Sequence, residues 1–125
     1  MSLTIEVVNQ AADRTKIYLI GRLDTNTAHQ LEETIDKEIN EKTNMLTFDL
    51  VNLEYISSAG LRVLFKTSKA LKKHGGHFGL MHLQPQIQKV LDIVKALPAV
   101  PIFRNEQEMD EYLDAMQQKV IDGDE

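Results

Sequence analysis

The segment Tyr55-Ile56-Ser57-Ser58-Ala59-Gly60-Leu61-Arg62 sets two serine hydroxyls and two small residues where a strand-like run gives way to an apolar helical pattern. A serine at a helix entrance has two chemical uses: its oxygen accepts orphan backbone N–H groups, or its hydroxyl is a site of covalent chemistry. Neither Ser57 nor Ser58 has the Glu or Gln three residues on that completes a capping box, since Gly60 and Leu61 stand there. Gly60 in a first helical turn costs about 1 kcal/mol relative to Ala. The run Ser57 to Gly60 therefore reads as a surface kept low for the approach of another molecule, with an ordinary serine-capped turn as the alternative.

Two carboxylates belong to the same question. Asp24 follows Gly21-Arg22-Leu23 and either caps the first helix, as the Asp24-Thr25-Asn26-Thr27 run favours, or takes part in a site. Asp49 interrupts the apolar run Met45 to Val51, so it must face solvent near the strand end or find donors. In an open α/β sheet, groups at the carboxyl ends of strands share one edge, which would gather Asp24, Asp49 and Ser58.

Other chemistries fit poorly. A serine hydrolase elbow needs Gly two residues before its nucleophile, and Ile56 stands there for Ser58. A receiver domain phosphorylated on Asp49 would need an acidic cluster after the first strand, where Gln10-Ala11-Ala12 lies, and a lysine after a later one, where His82-Leu83-Gln84 lies. His74 and His77 flank a Gly-Gly turn and read as solvated residues, and His29 and His82 are isolated, so no metal site is expected. The chain has no cysteine, which removes disulfides and thiolate chemistry.

The elements that position these residues follow from periodicity. Leu3 to Val7 and Ile17 to Ile20 form an antiparallel hairpin around the polar Gln10 to Thr15 connection. A first helix carries Ala28, Leu31, Ile35 and Ile39 on one stripe, and Met45 to Leu50 is the third strand. A second helix turns Leu61, Leu64, Phe65 and Leu71 inward and ends in Lys69, Lys72 and Lys73 before Gly75-Gly76. His77 to Leu83 is a fourth strand. Pro85 opens a third helix with Ile87, Val90, Leu91 and Val94 inward, Ile102-Phe103 is a short strand, and Met109, Tyr112, Leu113, Met116 and Val120 stripe a last helix. This order predicts an α/β fold: an open mixed sheet with about four helices packed on it.

At 125 residues, 42% hydrophobic and 26% charged, the chain is read as one domain, residues 1–125, without repeats or linkers and with a polar tail over 122–125. A net charge of −5 argues against direct nucleic-acid binding. No apolar run approaches the ~20 residues of a membrane span and no leader pattern is present, so a cytoplasmic location and no membrane contact are expected.

In order and spacing, Gly21-Arg22-Leu23-Asp24 running into Thr27-Ala28, then Phe48-Asp49-Leu50, then Tyr55-Ile56-Ser57-Ser58-Ala59-Gly60-Leu61 resemble the successive signatures of the STAS domain family, in its anti-sigma factor antagonist branch. The resemblance runs from about Leu3 to about Leu113. It implies that Ser58 is a phosphorylation site, with Ser57 the lesser candidate, and that Asp24, Asp49, Ser57, Ala59 and Gly60 contact a partner. The family's usual motif carries Asp before that serine and Ser or Thr after it, where this chain has Ser57 and Ala59. The implied function is a non-enzymatic partner switch. The unmodified chain binds an anti-sigma factor that is also a serine kinase, releasing a sigma factor; ATP is bound by the kinase and the antagonist needs no cofactor. Phosphorylation ends binding and a PP2C-like phosphatase resets it. The alternative is a non-phosphorylated STAS binding module in a transport or multiprotein signalling assembly.

Overall fold

The computed structural model describes residues 2–96, 115 and 117–123. Strands β1 (Leu3–Ala11), β2 (Arg14–Leu23), β3 (Met45–Ile56) and β4 (His77–Met81) form one sheet in the order β1-β2-β3-β4. Helices α1 (Ala28–Glu38), α2 (Ser58–Lys73) and α3 (Pro85–Ala96) intervene or follow, and residues 117–122 are helical. β1 and β2 pair antiparallel as the hairpin predicts, and β2–β3 and β3–β4 are parallel, each joined through a crossover helix. The hairpin strands run further into the polar connection than apolar alternation implies. Their turn is tied down by the Asp13 carbonyl, which accepts from Asn44 N (2.7 Å) and Met45 N (3.0 Å) at the entrance of β3.

The core alternates along the strands. Ile17, Leu19 and Leu23 of β2 and Leu46, Phe48 and Leu50 of β3 are fully buried, against Leu31 of α1 and Leu61 and Leu64 of α2. The third strand departs from the expected end at Leu50 and continues for six residues more. Two bulges make this possible: Tyr18 and Ile20 pair with Asp49 and Asn52, and Gly21 and Arg22 with Leu53 and Tyr55. Each adds one residue to β3, so the buried set changes from every second residue to Leu50, Leu53 and Ile56.

α2 corrects another expectation. Phe65 does not enter the core; it is 47% exposed, and Val63 and Thr67 take buried places on the helix instead. A helix of 16 residues has room for one inward stripe, and Leu61, Leu64 and Leu71 fill it. The helix ends as the Gly-Gly pair predicts: Gly76 N donates to Leu71 O (2.8 Å) and Gly75 N to Lys72 O (3.1 Å), a Schellman closure with Gly75 at φ +84°. β4 stops at Met81, and His82 takes a left-handed φ of 57°.

Beyond β4, side chains of the described residues reach the edge of β3 that β4 leaves. Gln84 Nε2 donates to Val51 O (2.8 Å), Gln86 Nε2 to Glu54 O (3.0 Å), and Gln117 both accepts from Ile56 N (3.0 Å) and donates to Ile56 O (2.8 Å). Ile87, Val90 and Leu91 of α3 are buried as predicted. The Val94 side chain, the Ile102-Phe103 strand and Met109, Tyr112, Leu113 and Met116 lie outside the described residues.

Candidate functional site at the start of helix α2

β2 and β3 end together, with Leu23 paired to Ile56, so the turns into α1 and α2 both leave from that edge. Ser57 N donates to Leu23 O (2.9 Å). Ser57 is the N-cap of α2: its backbone is extended (φ −99°, ψ 174°) and its side chain accepts from Gly60 N at 3.2 Å. The hydroxyl of Ser57 is thus spent on the helix, in a residue that is itself buried.

Ser58 is the first residue of α2. It is 5% exposed, so its hydroxyl is less open than the small residues around it imply. It lies at the floor of a depression of about 340 Å³ between the first turns of α1 and α2, lined by Thr25, Ala28 and His29 on one side and Ala59, Arg62 and Lys66 on the other. Ser58, Arg62 and Lys66 line a second depression together with Phe65. Across the first, Lys66 Nζ reaches Glu32 Oε2 of α1 at 2.9 Å. That pair holds the Glu32 carboxyl below its ordinary range and Lys66 above its own, through the hydrogen bond first and the charge second.

Gly60 has an internal packing role. It is buried, and a Cβ there would lie 2.6 Å from Leu23 Cγ and 3.1 Å from Leu23 O. The glycine lets the first turn of α2 close onto the end of β2. Ala59 is half-buried and lines the depression beside Ser58.

Asp24 reaches the edge as expected, three residues ahead of the N-cap position of α1, which Thr27 occupies. Its Oδ1 accepts from Asn26 N (3.0 Å) and Thr27 N (3.1 Å), while Thr27 Oγ1 accepts from Asp24 N (2.8 Å) and donates to Arg22 O (2.8 Å). The carboxylate organises the turn that delivers α1 and leaves Oδ2 3.9 Å from Arg22 Nε. The Arg22 guanidinium stacks over the Tyr55 ring at 3.9 Å.

Asp49 does not join this edge. It pairs with Tyr18, five residues of β2 before Leu23, a separation of about 17 Å at the rise of an extended strand. At 4% exposure it has found donors rather than solvent: Val51 N at 3.1 Å, His82 Nδ1 at 3.0 Å and Lys16 Nζ at 3.5 Å. Burial opposes its ionisation, but donation from the Val51 amide, then from His82 and Lys16, outweighs it and keeps the carboxyl below its ordinary range. His82, to which the sequence assigns nothing, is Asp49's partner, and Arg62 and Lys66 are the further residues of the Ser58 site. The four-residue spacing of Ser58, Arg62 and Lys66 on one helix is the signal that could have found the last two.

The family pattern described as STAS domain matches residues 4–109, and the chain belongs to that family. BtrV of Bordetella bronchiseptica is 32% identical over 89 residues, 71% of this chain and 77% of that one. The anti-sigma-B factor antagonist of Listeria monocytogenes is 25% identical over 109 residues, covering 87% and 96%. In three dimensions the anti-sigma factor antagonist SpoIIAA in its unphosphorylated form is similar, with a TM-score of 0.63, 17% identity and coverage of 91% and 98%. Within the STAS family, the chain stands in the anti-sigma factor antagonist branch.

Proposed function

We propose that this chain is an anti-sigma factor antagonist switched by phosphorylation of Ser58. The observation that carries the reading is the position of Ser58: it opens a 16-residue helix, where exposed N–H groups and the helix dipole accommodate an anion, and it lies on the floor of a depression between two helices. Ser57 supports the same reading, because it is Ser57 that supplies the side-chain cap of α2. Relatives named as antagonists favour the function, and SpoIIAA, which shares the fold, is known in phosphorylated and unphosphorylated forms.

In this reading the unmodified chain binds an anti-sigma factor that is also a serine kinase, and the sigma factor is freed. The kinase then directs Ser58 Oγ at the γ-phosphorus of its own ATP. The Oγ–P bond forms, the bond from that phosphorus to the bridging oxygen breaks, ADP leaves and the hydroxyl proton passes to a base of the kinase. About −1.5 to −2 charges now stand at the start of α2. A partner fitted to the neutral entrance meets a bulky anion beside Asp24, and binding ends. A PP2C-like phosphatase restores the hydroxyl by hydrolysis. The chain itself is a regulatory single domain of the cytoplasm with no catalytic role; Asp24 and Ala59 contact the kinase, and the buried Gly60, Ser57 and Asp49 hold the fold.

The test is intact mass after incubation with an anti-sigma kinase and Mg-ATP, comparing wild type, Ser58→Ala and Ser57→Ala. One phosphate, lost only in Ser58→Ala, is the expected result. No addition, under conditions that modify a related antagonist, would replace the switch by a non-phosphorylated binding module.

A further inference from the structure

We propose that the outer edge of β1 pairs with the same edge of a second copy of this chain, antiparallel and centred on Val7, so that two sheets join into one.

The direction of the backbone groups along β1 follows from its start. Ser2 O accepts from Arg22 N of β2 (3.3 Å), and Leu3 O turns the other way to accept from Gln30 Nε2 of α1 (2.9 Å). β2 agrees, since Leu23 O, one residue past Arg22, points away from β1 to Ser57 N (2.9 Å). In an antiparallel pair both backbone groups of a residue point to one side, and the sides alternate. Thr4, Glu6 and Val8 therefore bond β2, and Ile5, Val7 and Asn9 present their N–H and C=O groups outward. Among the described residues nothing bonds those outward groups. Nor does Leu3–Ala11 carry the Pro, Lys or Arg that commonly protects an edge, and its Val8 is 43% exposed.

A two-fold axis at this edge pairs the strand with itself, and the bonds form only where outward residues meet. Centres at Ile5, Glu6 or Val7 achieve this. The first two set Leu3 opposite Val7 or Asn9 of the second copy, although Gln30 already holds the Leu3 carbonyl. A centre at Glu6 also places two like charges directly opposite. Centred on Val7, Val7 meets Val7, Ile5 meets Asn9, and every outward group from Ile5 to Asn9 is bonded while Gln30 keeps Leu3. Charge favours the same register. Glu6, the one charged residue of β1, then lies beside Val8 of the second copy, in the cross-strand row that continues to that copy's Lys16. Lys16 also meets Asp49 at 3.5 Å, and the new carboxylate approaches it from the other side. The methylenes of Glu6 cover the exposed Val8. The occupant is a second copy because this edge complements itself in hydrogen bonds, charge and apolar cover.

The test is sedimentation equilibrium of the whole chain over a range of concentrations. Wild type is expected to pass from one chain to two as concentration rises. Val8→Glu, at an exposed position, creates two like-charge pairs with Glu6 across the axis and should weaken the dimer roughly tenfold or more. Adding Glu6→Lys makes both pairs opposite in sign and should restore it. Because the chain has no cysteine, introduced thiols report the register. In an oxidised mixture of Glu6→Cys and Val8→Cys the disulfide should join one of each, whose Cα atoms form a non-hydrogen-bonded pair about 4.5 Å apart. Like positions are offset by two residues, on the order of 8 Å, beyond the reach of a disulfide. A wild type that stays a single chain throughout, a Val8→Glu chain that dimerises as tightly, a double variant that is not restored, or a chance mixture of disulfides overturns the proposal.

Discussion

Replacing Gly60 by Ala sets two effects of known sign against each other. In a helix, Ala gains about 1 kcal/mol over Gly. Here the new methyl would lie 2.6 Å from Leu23 Cγ, 3.0 Å from Leu23 Cδ2 and 3.1 Å from the Leu23 carbonyl oxygen. Carbon atoms in contact rest at about 3.5–4.0 Å, so the side chain must retreat by roughly 1 Å. Leu23 is fully buried and its carbonyl already accepts from Ser57 N, so neither can yield freely. Overpacking of this kind costs about 1–3 kcal/mol, and the balance is a net loss of about 1 kcal/mol. Urea unfolding reads this directly: with a slope of about 1–3 kcal/mol per molar, the midpoint falls by roughly 0.3–1 M while the slope holds. In a Leu23→Val background the same Gly60→Ala change should cost less, by about 0.5 kcal/mol or more, because the two residues share the contact. A Gly60→Ala chain as stable as wild type would refute the close-packing account and return Gly60 to the surface role first read from the sequence.

Ser57→Ala removes the N-cap acceptor and should lower stability by about 1 kcal/mol in urea unfolding, with Ser58→Ala affecting it less. Gln117→Ala strips both partners from the backbone of the buried Ile56, and a loss of about 1–3 kcal/mol in the same assay is expected. Asp49→Asn should cost about 1–3 kcal/mol at pH 7, because Lys16 and His82 lose their charged acceptor. The Asp49 carboxyl is depressed in the folded state, so its contribution is present above the unfolded value of about 3.9 and is lost as pH falls through the lower folded value. The gap between wild type and Asp49→Asn should accordingly close in unfolding curves taken below about pH 4, and a gap independent of pH would contradict the pairing.

The sheet, its order of elements and the strand-to-helix entrance were legible because each rests on local pattern. Alternation marked β1 and β2, a 3.6-residue stripe marked α1, and Gly75-Gly76 marked the end of α2. The second half of β3 was not legible, because its two bulges replace alternation by the three-residue spacing of Leu50, Leu53 and Ile56, which belongs to no regular strand. The location of Asp49 was misread for the same reason: with the strand ended at Leu50, the carboxylate falls near Ser58, and with the strand continued to Ile56 it falls in the middle of the sheet. Phe65, four residues after Leu61, keeps the helical spacing of the stripe, yet it falls outside the buried sector that Val63 and Thr67 share with Leu61, Leu64 and Leu71. Partnerships between distant segments, such as His82 with Asp49 or Gln117 with Ile56, leave no periodic trace in one sequence.

The glutamine amides along β3 have a consequence for recognition. An unpaired strand edge is a template on which an extended peptide or a second chain can add, and it invites both binding by strand addition and aggregation. Among the described residues, the Gln84, Gln86 and Gln117 side chains occupy Val51 O, Glu54 O and both backbone groups of Ile56 on the side of β3 beyond β4. At those groups the stretch that leads directly into Ser57 and Ser58 is closed to main-chain pairing. A partner is left to read this end of the molecule through side chains and helix surface, which is the mode of contact that a single added phosphate can interrupt.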